Sequence, residues 1–302
     1  MFKSKGISFA YVFISYLIAL VIGYFSFRWF HSSIESLFWS MLLADVMMTT
    51  VVFVFSVIVR NSSIYDPYWS VIPPFILTLW LIESPYDGIP WHLVLVFVAV
   101  CLWAIRLTAN WAVNWQGLGH EDWRYVSFRN KVGRFYWLVS YAGFHLFPTL
   151  MVYMGLLPLY YAVSRINQPH YTIWAIGLTL SLLGILVSFS ADYSLYHHRR
   201  SFRSHRAIRR GLWKYSRHPN YLGELTFWLS LYIIALSYSR SFYFTGIGFI
   251  LMVALFLGYS IPAMEKRLLQ TKPDYTDIIY SVPLLIPIRT PKQRRIARSR
   301  LL

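Results

Sequence analysis

The sequence predicts an all-α fold: a polytopic membrane helix bundle of about seven to eight transmembrane helices. Three observations carry this prediction. Of the 302 residues, 57% are hydrophobic and 19% aromatic, only 13% are charged, and the mean hydropathy is +0.48. A hydrocarbon core about 30 Å thick needs roughly 20 apolar residues per helix, and runs of that kind recur along the chain. The cations collect between alternate runs, as they do when those segments share one side of a membrane.

Taken in order, the runs are 8–28, 36–59, 70–82, 91–111, 136–162, 171–191, 222–239 and 242–261. The first follows Lys3 and Lys5 as a signal peptide would, yet it is about 20 residues long and lacks a small-residue cleavage site, so it reads as an uncleaved anchor. The third is short and contains Pro73 and Pro74. The fourth encloses Arg106 and the single cysteine, Cys101, which excludes an internal disulfide and a Cys-based metal site. Of the 28 Lys and Arg, 24 fall in the segments before run one, after runs two, four and six, and after run eight. Arg28, Arg165 and Arg240 fall on the opposite side. By the positive-inside rule both termini are cytoplasmic, and the formal charge of +16 is explained by a face opposite anionic lipid, without nucleic acid. The expected organisation is a pair of N-terminal helices over 1–60, a main membrane domain over 61–290, and a basic cytoplasmic tail, "PKQRRIARSRLL", over 291–302.

Apart from Glu35, Glu83 and Asp87, the acids are expected near the cytoplasmic face, in four polar clusters. These are "YDPYW" (65–69), "GLGHEDWRYVSFRNK" (117–131), "ADYSLYHHRR" (191–200), and "KYSRHPNYLGE" (214–224) together with "PAMEKRLL" (262–269). Taken singly, each has a plain explanation. Asp66 before Pro67 can end one helix and start the next. Tyr68, Trp69, Trp123 and Tyr125 suit an interfacial aromatic belt. His197 and His198 are adjacent, so they point in different directions on a helix, and no carboxylate recurs at i+4; no metal site is expected. Asp192 and Arg199, seven apart, share a helix face.

Together the clusters describe a pocket. Glu224 falls near the first turn of an apolar helix, where the dipole favours a carboxylate but a dry setting demands a donor for it. Asn220 offers both donor and acceptor, and Gly223 leaves room for a ligand to approach the backbone. Arg199, Arg203, Arg209, Arg210 and Arg217 carry forks suited to phosphate oxygens. This reads as a cytoplasm-facing nucleotide pocket between helices.

The stretch "SRHPNYLGE" (216–224), followed by an apolar span and "IPAMEKRLLQTKPDYTDIIYSVPLLIP" (261–287), resembles the C-terminal half of the steroid 5-alpha-reductase family, particularly its bacterial members of uncharacterised-domain type. "W-x-x-R-L" at Trp103 to Leu107, "E-D-W-R-Y" at Glu121 to Tyr125 and "A-D-Y" at Ala191 to Tyr193 extend the resemblance to roughly residues 60–290. It implies a helix bundle with a cytoplasm-facing cofactor cavity that holds NADPH, and a lipid or steroid-like acceptor entering from the bilayer. The implied reaction is hydride transfer to the β-carbon of an enone. Carried over by motif, the cofactor residues are Arg124, Asp192, Arg199, Arg217, His218, Asn220, Tyr221 and Glu224. The family's catalytic Glu corresponds to Asp66. Its partner Tyr falls near Trp103, which cannot act as an acid, so Tyr68 is expected to be the phenolic helper. Ser188 and Ser260 stand where the family has cofactor-contacting Asn and Arg. A monomer in a bacterial inner (plasma) membrane is the expectation.

The "R-H-P-x-Y-x-G" ending is also similar to isoprenylcysteine and phospholipid methyltransferases, which bind S-adenosylmethionine, and to sterol C14 reductases. Asp192, Arg199 and the basic stretch behind them favour a phosphate-rich dinucleotide over an uncharged thioether ligand. A lipid-binding or scaffolding membrane protein is the non-enzymatic alternative.

Overall fold

The computed structural model describes residues 4–201 and 205–288; Lys3, Arg203 and the expected basic tail lie outside the described residues. Among the described residues every regular element is helical. We label the elements α1 (Lys5–Ile34), α2 (Leu37–Ile58), α3 (Tyr68–Ile82), α4 (Trp91–Asn114), α5 (Trp123–Val163), α6 (Tyr171–Arg199), α7 (Pro219–Tyr238), α8 (Arg240–Thr271) and α9 (Tyr275–Ser281). Seven of them, all but α3 and α9, are long and apolar enough to cross a membrane, which makes this a polytopic helical bundle. Packing divides the chain into two units, Met1–Asn167 and Gln168–Leu302, and the division expected at residue 60 falls within the first.

In unit 1, α1 buries Ser8, Val12, Ser15, Tyr16, Ala19, Gly23 and Phe27, a seam at helical spacing, and turns its large apolar residues such as Phe13, Phe25 and Trp29 outward. Glu35 sits in the left-handed region (φ 56°) and Ser36 caps α2 through the Trp39 N–H, so α1 and α2 are joined by a tight reversal.

The short α3 is extended at its start by the turn Ser62–Tyr65 and the Asp66–Pro67 step. At one end the Ser8 hydroxyl accepts from the Leu118 N–H (3.2 Å), Asn61 donates to the Leu118 carbonyl (3.0 Å), and Asp66 meets Tyr125 (2.6 Å). At the other end Glu83, just beyond α3, pairs with Arg28 (2.7 Å). Ser8 and Arg28 are 20 residues apart on α1, a rise of about 30 Å. The turn Ser62–Tyr65, the Asp66–Pro67 step and the 15 residues of α3 together cover that distance. Trp80, near the far end, is fully buried against Tyr153 and Tyr160 of α5.

Two of the long helices contain a π-helical turn, Ser140–Leu146 in α5 and Phe256–Ser260 in α8. A π-turn redirects the side chains after it and recurs at functional sites.

Candidate functional site

In unit 2 the site is built from the end of α6 and the start of α7. The buried stripe of α6 is Trp174, Gly177, Ser181, Gly184, Ser188 and Ala191 at alternating spacings of three and four, all small after Trp174. They let α7 approach to backbone contact. A Cβ on Gly184 would lie 2.7 Å from the Gly223 carbonyl and 2.8 Å from the Phe227 nitrogen, and one on Gly223 would lie 2.7 Å from the Ser188 nitrogen. The expectation that Gly223 leaves room for a ligand is therefore corrected: α6 occupies that room.

This close crossing sets the polar groups above it. The Ser188 hydroxyl donates to the Asn220 carbonyl (3.1 Å), and one turn further on Asp192 accepts from the Asn220 amide (3.3 Å). Pro219 opens α7 at a position whose N–H would be unused, which places Asn220 and Glu224 in its first turns. Glu224 is 5% exposed. The Asn220 Oδ1 is buried and has no hydrogen-bond partner. Arg199, two turns past Asp192, is exposed and within electrostatic reach of it. The structure thus brings together Asp192 and Asn220, with Glu224 one turn along the same helix.

Arg217 and His218 have another task. The Glu265 Oε1 meets Arg217 Nε (2.9 Å), His218 Nε2 (3.1 Å) and the Tyr275 hydroxyl (3.1 Å). Arg217 also donates to the Ile279 carbonyl (2.8 Å), and its N–H bonds the Pro283 carbonyl (2.9 Å). These residues fasten the segment after α8 to the mouth of α7. Burial, reinforced by the Glu265 carboxylate, pushes the Tyr275 phenol well above its ordinary range. The Tyr221 ring packs between His218 (5.7 Å) and Phe256 of the α8 π-turn (4.9 Å). Arg209, expected at a phosphate, lies 3.9 Å from Asp274 and 3.8 Å from Asp277.

In unit 1, Asp66 ends the turn Ser62–Tyr65. Its Oδ1 accepts from Tyr125 (2.6 Å) and from Arg124 (3.4 Å), and its side chain is 19% exposed. Burial raises its pKa to about 6 against the opposing pull of the Arg124 guanidinium. Arg124, expected near an adenosine phosphate, is engaged by two carboxylates: Asp122 takes its Nε (2.7 Å) and Asp66 its Nη2.

The Tyr68 hydroxyl is not bonded to Asp66. It donates to Asp45 Oδ1 (2.8 Å) and accepts from Thr49 (3.2 Å), because two residues along a helix turn a side chain about 200° away. The phenol at Asp66 is Tyr125, which the sequence suggested only as a belt aromatic.

Asp45 is the residue that sequence reasoning missed. It lies within α2, eight residues from Leu37, and is 2% exposed, so the expectation that acids outside Glu35, Glu83 and Asp87 gather near one face does not hold for it. A carboxylate inside "LLADVMMTT" was itself the signal, since an ionisable group in an apolar span is costly and marks function by default.

Residues 52–280 match the family described as "Protein of unknown function (DUF1295)", and the chain belongs to that family. It is similar to an uncharacterized protein of Schizosaccharomyces pombe, 27% identical over 258 residues that cover 78% of this chain and 75% of the relative. No solved structure matches the chain.

Proposed function

We propose that this chain is an NADPH-dependent membrane oxidoreductase that reduces the carbon–carbon double bond of an enone carried by a steroid-like or other isoprenoid lipid. The observation that carries the reading is the Asp192–Asn220 pair with its buried, unpartnered Asn220 Oδ1. An orphaned buried acceptor costs roughly 1 to 3 kcal/mol, and a ligand carrying an amide or hydroxyl donor would relieve it. Asp192, Asn220, Tyr221 and Glu224 would hold the polar body of the dinucleotide, and Arg199, exposed at the end of α6, its phosphates. Arg217 and His218 act indirectly, by fixing the mouth of α7 through Glu265.

NADPH supplies the hydride; the protein supplies position and field. Asp66 has the acid's part. Below about pH 6 it is protonated, and because Tyr125 donates to Oδ1, the acid proton resides on Oδ2, free for an acceptor's carbonyl oxygen. A hydrogen bond to that oxygen stabilises the negative charge that develops on it, an effect that grows as water is excluded. By the positive-inside rule, and with α3 counted as an eighth crossing, both termini and the Asp66 end of unit 1 face the cytoplasm, where NADPH is available.

The test is thermal stabilisation of the detergent-purified protein by NADPH, NADH and S-adenosylmethionine side by side, since a ligand raises stability with its concentration over its affinity. NADPH is expected to give the largest shift. Asn220→Ala and Glu224→Gln should each weaken it by about one to two decades in affinity without loss of fold. A shift with S-adenosylmethionine and none with NADPH would replace the reading with a methyltransferase.

A further inference from the structure

Five side chains of unit 1 are hydrogen-bonded in series. The Tyr65 hydroxyl meets Thr149 (2.7 Å), Thr149 meets Thr49 (2.8 Å), Thr49 donates to Tyr68 (3.2 Å), and Tyr68 donates to Asp45 Oδ1 (2.8 Å). All five are buried, each at most 2% exposed. They come from four elements: the turn Ser62–Tyr65, α5, α2 and α3.

The carboxylate sets the direction of the chain. Tyr68 also lies 3.2 Å from the Asp45 carbonyl, but the shorter, charge-assisted bond to Oδ1 takes its proton. Tyr68 oxygen then accepts from Thr49, Thr49 oxygen from Thr149, and Thr149 oxygen from Tyr65. Each hydroxyl donates once toward the acid, and Thr149, Thr49 and Tyr68 each accept once from the hydroxyl behind. Thr149 has one competing acceptor, the His145 carbonyl at 2.9 Å, and turning to it interrupts the series.

We propose that this series is a proton relay that loads Asp45 from the Asp66 end of unit 1. A proton arriving on the Tyr65 oxygen displaces that phenol's own proton onto Thr149; O–H bonds then break and form in turn through Thr49 and Tyr68. Asp45 ends as a neutral carboxylic acid, each hydroxyl is regenerated pointing the other way, and one positive charge has moved inward with no change of oxidation state. Tyr65 is followed directly by Asp66, whose side chain is 19% exposed and whose charge acts on the Tyr65 phenol.

A purely structural role explains less. Interhelical hydroxyl pairs hold membrane helices together, and isolated pairs would suffice. A linear series that ends on a buried acid adds the cost of that acid, which a clamp does not need. The other titratable groups around the series are Tyr16 of α1 (6.0 Å, ring to ring with Tyr68), His145 of α5 (4.8 Å from Tyr65), Tyr153 of α5 and Asp66. The relay stands without the reductase reading.

Infrared spectroscopy of the full chain in detergent tests it with no substrate present. The carbonyl stretch of protonated Asp45, identified by its loss in Asp45→Asn, should shift on transfer from H₂O to D₂O at a measurable rate. Thr149→Val should slow that exchange roughly tenfold or more, Thr149→Ser should restore it, and Tyr65→Phe, at the other end of the series, should also slow it. If Thr149→Val fails to fold, Tyr65→Phe decides. Exchange at the wild-type rate in the folded valine or phenylalanine variant, or no protonated Asp45 band at any pH at which the protein stays folded, overturns the proposal.

Discussion

In unit 1 the helices α2, α3 and α5 meet through hydroxyls, an imidazole and a carboxyl, whereas in unit 2 α6 and α7 meet through bare backbone at Gly184 and Gly223. The two seams answer the same problem differently. Within a bilayer, apolar side chains gain little by touching one another in place of lipid, so helices associate through close packing or through hydrogen bonds. Unit 2 uses the first device and keeps its polar groups at the helix ends, around Asp192, Asn220 and Glu265. Unit 1 uses the second and carries polar groups from Asp66 inward to Asp45. Rigid packing beneath the Asp192–Asn220 pair suits a binding site that must hold its shape. A polar interior suits the movement of protons.

The largest test of this contrast is a methyl group. Gly223→Ala would place a Cβ against the Ser188 nitrogen and the Gly184 carbonyl, backbone atoms that cannot rotate aside. Overpacking of this kind costs about 1 to 3 kcal/mol, and with two helix backbones in the way the loss should reach the top of that range. Gly143→Ala, in the π-turn of α5, meets nothing within 4 Å and should be close to neutral. Thermal melting in detergent compares them. Equal melting temperatures for the two variants would mean that the α6–α7 seam yields as freely as the surface of α5.

Asp66→Asn should have the next largest effect, divided between turnover and pH dependence. Its folded-state pKa of about 6 lies above the ordinary 3.8, so the folded protein binds this proton more tightly than the unfolded chain does. The resulting stability is fully present below about pH 4 and is lost as pH rises through about 6. A two-unit shift corresponds to no more than about 3 kcal/mol, and to less in so far as water reaches the one-fifth-exposed carboxyl. The asparagine variant should therefore lose part of the fall in melting temperature across this window, and enone reduction should drop by about 10² while NADPH affinity holds. An unchanged melting profile would show Asp66 to be an ordinary turn residue; unchanged turnover with any working enone would pass the acid's role to another group.

Most of the helical architecture was legible in the sequence because a bilayer imposes one length on every crossing. The third run was the difficult one. Its two prolines and 15 residues place α3 below the usual length, and the Arg28–Glu83 pair, 55 residues apart in sequence, shows where its far end lies. The site was legible as a set of residue types but not as a set of partners. Arg217 and His218 looked like ligand contacts because the carboxylate that holds them, Glu265, lies 47 residues beyond His218 in sequence. Gly223 looked like room for a ligand because its role depends on Gly184 and Ser188 of another helix, although the small residues of α6 at alternating spacings of three and four were visible. Asp45 is visible in the sequence, but a pattern of apolar runs discounts the exception inside one.

The smallest expected effect bears on how many times the chain crosses the membrane. Arg28 and Glu83 form an ion pair at 2.7 Å, but their side chains are 57% and 25% exposed, so a double-mutant cycle with Arg28→Ala and Glu83→Ala should return a coupling of less than about 1 kcal/mol. The pair's value is positional. If α3 runs the length of unit 1, Glu83 is at the opposite end from Asp66 and the chain crosses eight times, an even number that returns the C-terminus to the side of the N-terminus; with seven crossings the termini would be on opposite sides. A bifunctional thiol reagent applied to the Arg28→Cys, Glu83→Cys variant, with Cys101→Ser to remove the native thiol, should join the two positions. Reporter fusions at Arg60 and Leu302 should then give the same side. Cross-linking that fails at residues 28 and 83, together with reporters on opposite sides, would place the end of α3 within the bundle and remove it from the crossing helices.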